Sequence, residues 1–193
     1  RWKKEIANGT APEDKFSSRE APGPIQTSAS IKENEIKLQS SFKNCSDVIQ
    51  RKFTIGAERI GCIAVYTEGI VKREEINENI LRFMMLETSS IKVRNLVSRG
   101  RLPFLLKNTS ISISEIEESE RFDYVVSKIL GGFCAIFIDG SKSVLLANTR
   151  SVPERNISEP KIEPLVRGPQ EAFNESLKIN IALLRKRLQT PNF

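Results

Sequence analysis

Histidine is absent from all 193 residues, and with it goes the side chain that titrates near neutral pH. Ser-His-Asp and Cys-His nucleophilic schemes, histidine general bases and most zinc sites are therefore excluded together. Aromatic residues make up only 7% of the chain, and no RNP-like or helix-turn-helix pattern is present. No run approaches the roughly 18 apolar residues that a membrane-spanning helix needs, and no apolar signal core opens the chain, so a soluble chain is expected. The three cysteines, Cys45, Cys62 and Cys134, are odd in number, widely spaced and without a C-x-x-C pair. Reduced thiols in a reducing compartment are expected, with Cys62 and Cys134 inert inside apolar runs.

What is present suffices for a core, since 39% of the residues are hydrophobic. The 30 Lys and Arg exceed the 24 Asp and Glu and give a formal charge of +6, which raises nucleic acid or an anionic surface as a partner. The two signs are interleaved, however, so a mixed solvated surface is the preferred reading. Neither a nucleic-acid partner nor a cofactor is expected. The chain opens on Arg1 and stops just past a helix, which reads as an excised piece of something longer.

Residues 1–29 carry Gly, Pro, Ser, Thr and mixed charge without apolar periodicity, and read as a flexible arm. From Ser30 the pattern becomes helical, with Ile31, Ile36, Leu38 and Phe42 following a capping Ser and Asn44 closing the turn. Strands follow at Asp47–Ile55 and Ile60–Tyr66, then an amphipathic helix over Arg73–Met84 with Ile76, Ile80, Phe83 and Met84 on one face. Residues 88–110 give no clear period, although Ile91, Val93 and Leu96 suit a short helix. A short alternating strand (Ile111, Ile113) precedes a helix with Phe122, Val125, Val126, Ile129 and Leu130, closed by Gly131-Gly132. Phe133–Ile138 and Ser143–Ala147 form a hairpin across Asp139-Gly140-Ser141-Lys142. Alternating helices and strands with both hairpin and crossover connections give the fold class: α/β (α+β), one compact mixed-sheet lobe over 30–150 with flanking helices.

The stretch VRGPQEAFNESLKINIALLRKRL (166–188) is the most ordered pattern. Gly168 and Pro169 suit a helix start, Glu171 and Glu175 sit near the positive end, and Arg185, Lys186 and Arg187 near the negative end. Phe173, Leu177, Ile181, Leu184 and Leu188 form one apolar stripe, and Thr190-Pro191 stops the helix. Asn174 and Asn180 add polar groups that a purely structural helix does not require.

This stretch, preceded by FIDGSKSVLLANTR and SEPKIEPLVRGP, resembles the soluble N-terminal region of the A subunit of GerA-family spore germinant receptors. There an Arg-Gly-Pro-x-Glu segment, a helix with Asn-Ile-Ala-Leu and a closing Arg-x-Arg-Leu occur. The resemblance runs from about Ile31 to Phe193, with SDVIQRKFTIG and IAVYTEGIV similar to the family's early strands. Ala172 stands where Gly is expected, and 88–110 fits poorly.

The resemblance implies a nutrient receptor of the spore inner membrane built from A, B and C subunits, with no enzymatic activity. The membrane would be reached through the remainder of the A subunit, and the reduced cysteines and absent signal core place this domain on the cytosolic, core side. It also implies two α/β lobes about a cleft, as in substrate-binding proteins. Residues 151–193 would then be a linker and connector helix leading to a second lobe. A small nutrient (amino acid, sugar or ion) needs anion-binding and cation-binding groups and an apolar wall. The candidates are Arg150, Arg167, Asp139, Glu171 and Asn174, each with a structural role as its alternative. The stripe Phe173, Leu177, Ile181, Leu184 and Leu188 is the candidate interface. A domain that assembles receptor subunits without binding nutrient is the competing expectation.

Overall fold

The computed structural model describes residues 25–90, 92–98, 115–151 and 176–191. Among the described residues five strands form one sheet: β1 (Val48–Ile55), β2 (Ile60–Thr67), β3 (Ile116–Ser119), β4 (Phe133–Ile138) and β5 (Val144–Asn148), in the order β1-β2-β4-β5-β3. The α/β class is as expected. Within it every strand pairing is antiparallel, where a mixed sheet was anticipated. Two local hairpins, β1–β2 and β4–β5, are joined edge to edge by β2 and β4, with Val65 opposite Ala135 and Cys62 opposite Ile138.

The unbroken apolar sequences IGCIAVYT and FCAIFI are explained by layers on both sides of β2 and β4, so that neither parity of residue meets water. Ile63, Val65, Ala135, Phe137, Val144 and Leu146 face one helical layer, formed by α1 (Ile31–Ser41) and α4 (Phe122–Leu130) through Leu38, Phe42, Val125 and Ile129. Cys62, Ala64, Tyr66, Cys134, Ile136 and Leu145 face the other layer, dominated by α2 (residues 73–86). The outer strands carry the polar positions, and Arg51 and Lys52 on β1 place charge on an edge that would otherwise invite another strand.

Helix α2 changes winding along its length, from α over Arg73–Glu75 to π over Ile76–Arg82 and back to α over Phe83–Leu86. Ile76, Ile80 and Met84 are buried as their spacing predicts. The wider π turns also bring Leu81 inward and leave Phe83 only packed against the rim of the core. A short helix α3 (Arg94–Ser98) follows, with Val93 buried just before it.

Long-range contacts correct several local expectations. The N-terminus of α1 is capped by the Asp139 carboxylate, which accepts the Ile31 N–H at 3.2 Å; the Ser30 side chain makes no cap bond, and the helix closes at Phe42 rather than Asn44. The strand expected around Ile111 and Ile113 lies outside the described residues, and the edge strand β3 is built from Ile116–Ser119, whose two glutamates disguise it. Of the arm expected over 1–29, the described part is fastened down. The Thr27 N–H donates to the Glu120 carbonyl at 2.8 Å, the Phe122 N–H to Ile25 at 2.8 Å, and Asn34 and Ser28 exchange hydrogen bonds of 2.6 and 2.9 Å.

Candidate functional site

The antiparallel registers bring the start of β1, the end of β2, the start of β4 and the end of β5 to one end of the sheet. There the chain leaving β5 pairs with the chain leaving β2: Val71 bridges Arg150, the Lys72 N–H donates to Thr149 O at 2.9 Å, and the Ser151 N–H to Ile70 O at 2.9 Å. Gly132 makes this crowding possible. Its φ is +91°, and a Cβ added there would stand 2.9 Å from Arg150 Cγ and 3.1 Å from Ile70 O.

Arg150 sits exposed at this end and is already engaged. Its Nε donates to the Gly131 carbonyl at the C-terminus of α4 at 2.8 Å, and its guanidinium carbon lies 4.9 Å from the centroid of the Phe133 ring. Both are favourable for a cation at a helix C-terminus and over a ring face. Lys128 approaches the same ring at 4.3 Å and donates to Glu117 Oε1 at 2.8 Å, while the Tyr124 hydroxyl donates to Glu117 Oε2 at 2.8 Å. These hydrogen bonds from Lys128 and Tyr124 hold the Glu117 carboxyl below the usual carboxylate range, helped by the charges of Lys128 and Arg150.

Asp139 occupies the opposite end of the β4–β5 hairpin. The six residues of β4 separate it from the Arg150 end, about 20 Å at strand rise. Its work there is visible: the carboxylate caps α1 and its own N–H donates to Gly61 O at 2.9 Å. Arg150 and Asp139 are therefore not brought together. Arg167, Glu171, Phe173 and Asn174 lie outside the described residues, as does the helix start expected at Pro169.

The described helix α5 (Leu177–Arg187) follows an extended Ser176. Its stripe is not the docking face. Leu177 is 72% and Leu188 45% exposed, with Ile181 and Leu184 half-buried, while Ala182, Leu183 and Arg185 are buried. Arg185 is 1% exposed and makes a two-pronged contact with Asp47, from Nε to Oδ2 at 2.8 Å and from Nη2 to Oδ1 at 2.9 Å; its Nη1 donates to Thr190 O at 2.6 Å. Burial alone would make this guanidinium easier to deprotonate, but the Asp47 carboxylate outweighs that and holds it firmly charged.

The tail after α5 is tied to the same place. Cys45 Sγ donates to Pro191 O at 3.2 Å, and a Cβ added at Gly131 would meet Gln189 Oε1 at 3.7 Å. Asp47 also accepts the Glu68 N–H through its carbonyl at 2.7 Å. The sheet end that carries Arg150 thus also receives α5. Sequence reasoning placed Arg185 only as a charge complementing the helix end and missed its partner, 138 residues away. The available signal was Ala182, a small residue three positions before Arg185 on the same face, which marks a close approach.

All three thiols are free and buried. Burial pushes Cys62 and Cys134 up to about 12, the Asp139 charge adding to the effect at Cys62. Neither serves as a nucleophile in this state. A shallow recess of about 330 Å³ beside α1 is lined by Ile31, Glu35, Lys52, Phe53 and Ile63, with Glu35 and Lys52 paired at 2.6 Å. Among the described residues no cluster of potential metal ligands occurs, and no helix is long and apolar enough to cross a membrane.

The family description "Bacillus/Clostridium GerA spore germination protein" matches residues 36–193. The uncharacterized membrane protein YfkQ of Bacillus subtilis is 37% identical over 164 residues, 84% of this chain and 30% of that protein. Spore germination protein KA of Bacillus subtilis is 26% identical over 175 residues, covering 90% of this chain and 31% of that one. The chain thus spans about a third of the length of these relatives. Among solved structures, the N-terminal domain of the A subunit of the Bacillus megaterium spore germinant receptor GerK3 superposes with a TM-score of 0.64 at 20% identity, over 87% of this chain and 58% of that one.

Proposed function

The chain belongs to the Bacillus/Clostridium GerA spore germination protein family, and we propose that it is the N-terminal, extra-membrane domain of a germinant-receptor A subunit. In this reading it contributes to nutrient sensing and to the signal that triggers germination, without chemistry of its own. The family match over 36–193 carries the proposal, and the fold shared with the GerK3 N-terminal domain supports it. The other receptor subunits, B and C, are its partners. The receptor resides in the spore inner membrane, anchored by the rest of the A subunit, with this domain on the core side.

The lobe over 30–150 is joined through α5 to a second lobe, a reading supported by the greater length of the GerK3 domain, of which this chain matches 58%. A nutrient carrying a carboxylate is taken between lobes, with Arg150, Arg167, Glu171 and Asn174 on the connector side, while Asp139, at the far end of the hairpin, caps α1 instead. Phe173, Leu177, Ile181, Leu184 and Leu188 face the neighbouring lobe or subunit. Binding acts by favouring one lobe arrangement, to the extent that the two differ in affinity.

A specific observation favours the rival reading, a domain that assembles the subunits while nutrient binds elsewhere. Arg150 and Asp139 are both engaged within the fold and stand at opposite ends of one hairpin, while the α5 stripe is only partly covered. Spores carrying Arg150→Met or Arg167→Met in the full-length A subunit separate the two. Lost nutrient response with normal receptor assembly supports sensing, whereas lost assembly supports the scaffold.

A further inference from the structure

We propose that Arg185 and Asp47 form a latch through which α5 and its tail dock on the sheet domain, and leave it, as one unit. What holds α5 in place includes a buried charged group. Between its exposed ends, Leu177 and Leu188, the helix buries Ala182, Leu183 and the Arg185 guanidinium. The sheet does not depend on it for closure: α1 and α4 cover one face, α2 covers most of the other, and of α5 only Ala182 joins the core of that second face.

The ion pair makes docking all-or-none. A buried guanidinium with both prongs on a half-buried carboxylate is tolerated because the carboxylate satisfies it; drawn a few ångströms from Asp47 while still covered, Arg185 becomes an uncompensated buried charge. Partial displacement is thus disfavoured, whereas full release returns both groups to water. The tail is coupled to α5 because Arg185 Nη1 holds Thr190 O at 2.6 Å, and its release breaks the bond from Cys45 Sγ to Pro191 O at 3.2 Å. Asp47 in turn directly precedes β1 and accepts the Glu68 N–H at 2.7 Å, so the sheet end that carries Arg150 is where docking is registered. The latch stands whether the receptor domain senses nutrient or assembles subunits, and its test needs neither.

Hydrogen exchange and thiol labelling with Ellman's reagent on the whole chain decide the matter. Expected are one shared exchange rate across Ala182–Arg187, at least tenfold faster than β2 and β4, and labelling of Cys45 in the folded protein while Cys62 and Cys134 wait for unfolding. Asp47→Asn should speed both α5 exchange and Cys45 labelling tenfold or more and leave β2 and β4 unchanged. Should that variant fail to fold, the unaltered protein decides alone. A gradient of rates from the ends of α5, or exchange of α5 in step with β2 and β4, overturns the latch. So does an Asp47→Asn chain that folds with both α5 exchange and Cys45 labelling unaltered.

Discussion

Arg150 lies over the ring of Phe133, its guanidinium carbon 4.9 Å from the centroid, while its Nε donates to the carbonyl of Gly131. One side chain thereby fixes the exit of β5 to the end of α4 and the start of β4. Arg150→Met keeps the apolar stem over the ring and removes the donor. It should lower unfolding stability by about 1 kcal/mol, read as a lower urea midpoint with an unchanged slope.

Two glycines with nearly the same backbone make a matched pair. Gly132 and Gly140 have φ of +91° and +88°, but a Cβ at Gly132 collides with Arg150 Cγ and Ile70 O, and at Gly140 it meets nothing within 4 Å. Gly140→Ala should cost about 1 kcal/mol, the left-handed backbone strain alone. Gly132→Ala should cost at least about 1 kcal/mol more, because Ile70 backbone has to shift as well. Equal losses in a denaturation experiment would mean that the Arg150 side chain and strand exit yield freely.

Glu117 predicts a pH dependence. Hydrogen bonds from Lys128 and Tyr124 lower its pKa in the folded chain, so it binds its proton less readily there than in the unfolded chain. Its contribution is fully present above the unfolded value, about 4.3, and is lost as the pH falls through the lower folded value. Carbon-detected NMR of the carboxyl should give a midpoint below the ordinary range, and Lys128→Met should raise it. The stability gap between the two proteins should be wide at neutral pH and shrink below about pH 4.

Cys62 and Cys134, pushed up to about 12 by burial, should resist maleimide at pH 8 in the native chain and react on unfolding. Modification of either in the folded protein would show that β2 and β4 open locally.

The strands were legible where periodicity is decided by neighbours in sequence. Ile60–Tyr66 and Phe133–Ile138 are apolar enough to name themselves, and Ile76, Ile80 and Met84 announce a helix face. Less legible was whatever depends on a distant partner. Glu117 and Glu118 look like solvated charge, yet Glu117 pairs with Leu146 and Glu118 with Leu145 across the sheet. Asp139 reads as a turn residue and also caps a helix 108 positions earlier. In α5 the residues Leu177, Ile181, Leu184 and Leu188 follow one stripe, but no local rule tells which face meets the lobe. A single ion pair from Arg185 to Asp47 chose the other.

The strand order also bears on how the chain reaches this fold. β1–β2 and β4–β5 each pair across a short turn, whereas joining β2 to β4 must close the loop over 68–132. Two hairpins can form early and independently, and their meeting sets the folding rate. Closure entropy grows only with the logarithm of loop length, about 0.6 kcal/mol per doubling. Residues inserted within that interval, away from α2, α3, β3 and α4, should therefore slow folding only slightly and leave the sheet intact.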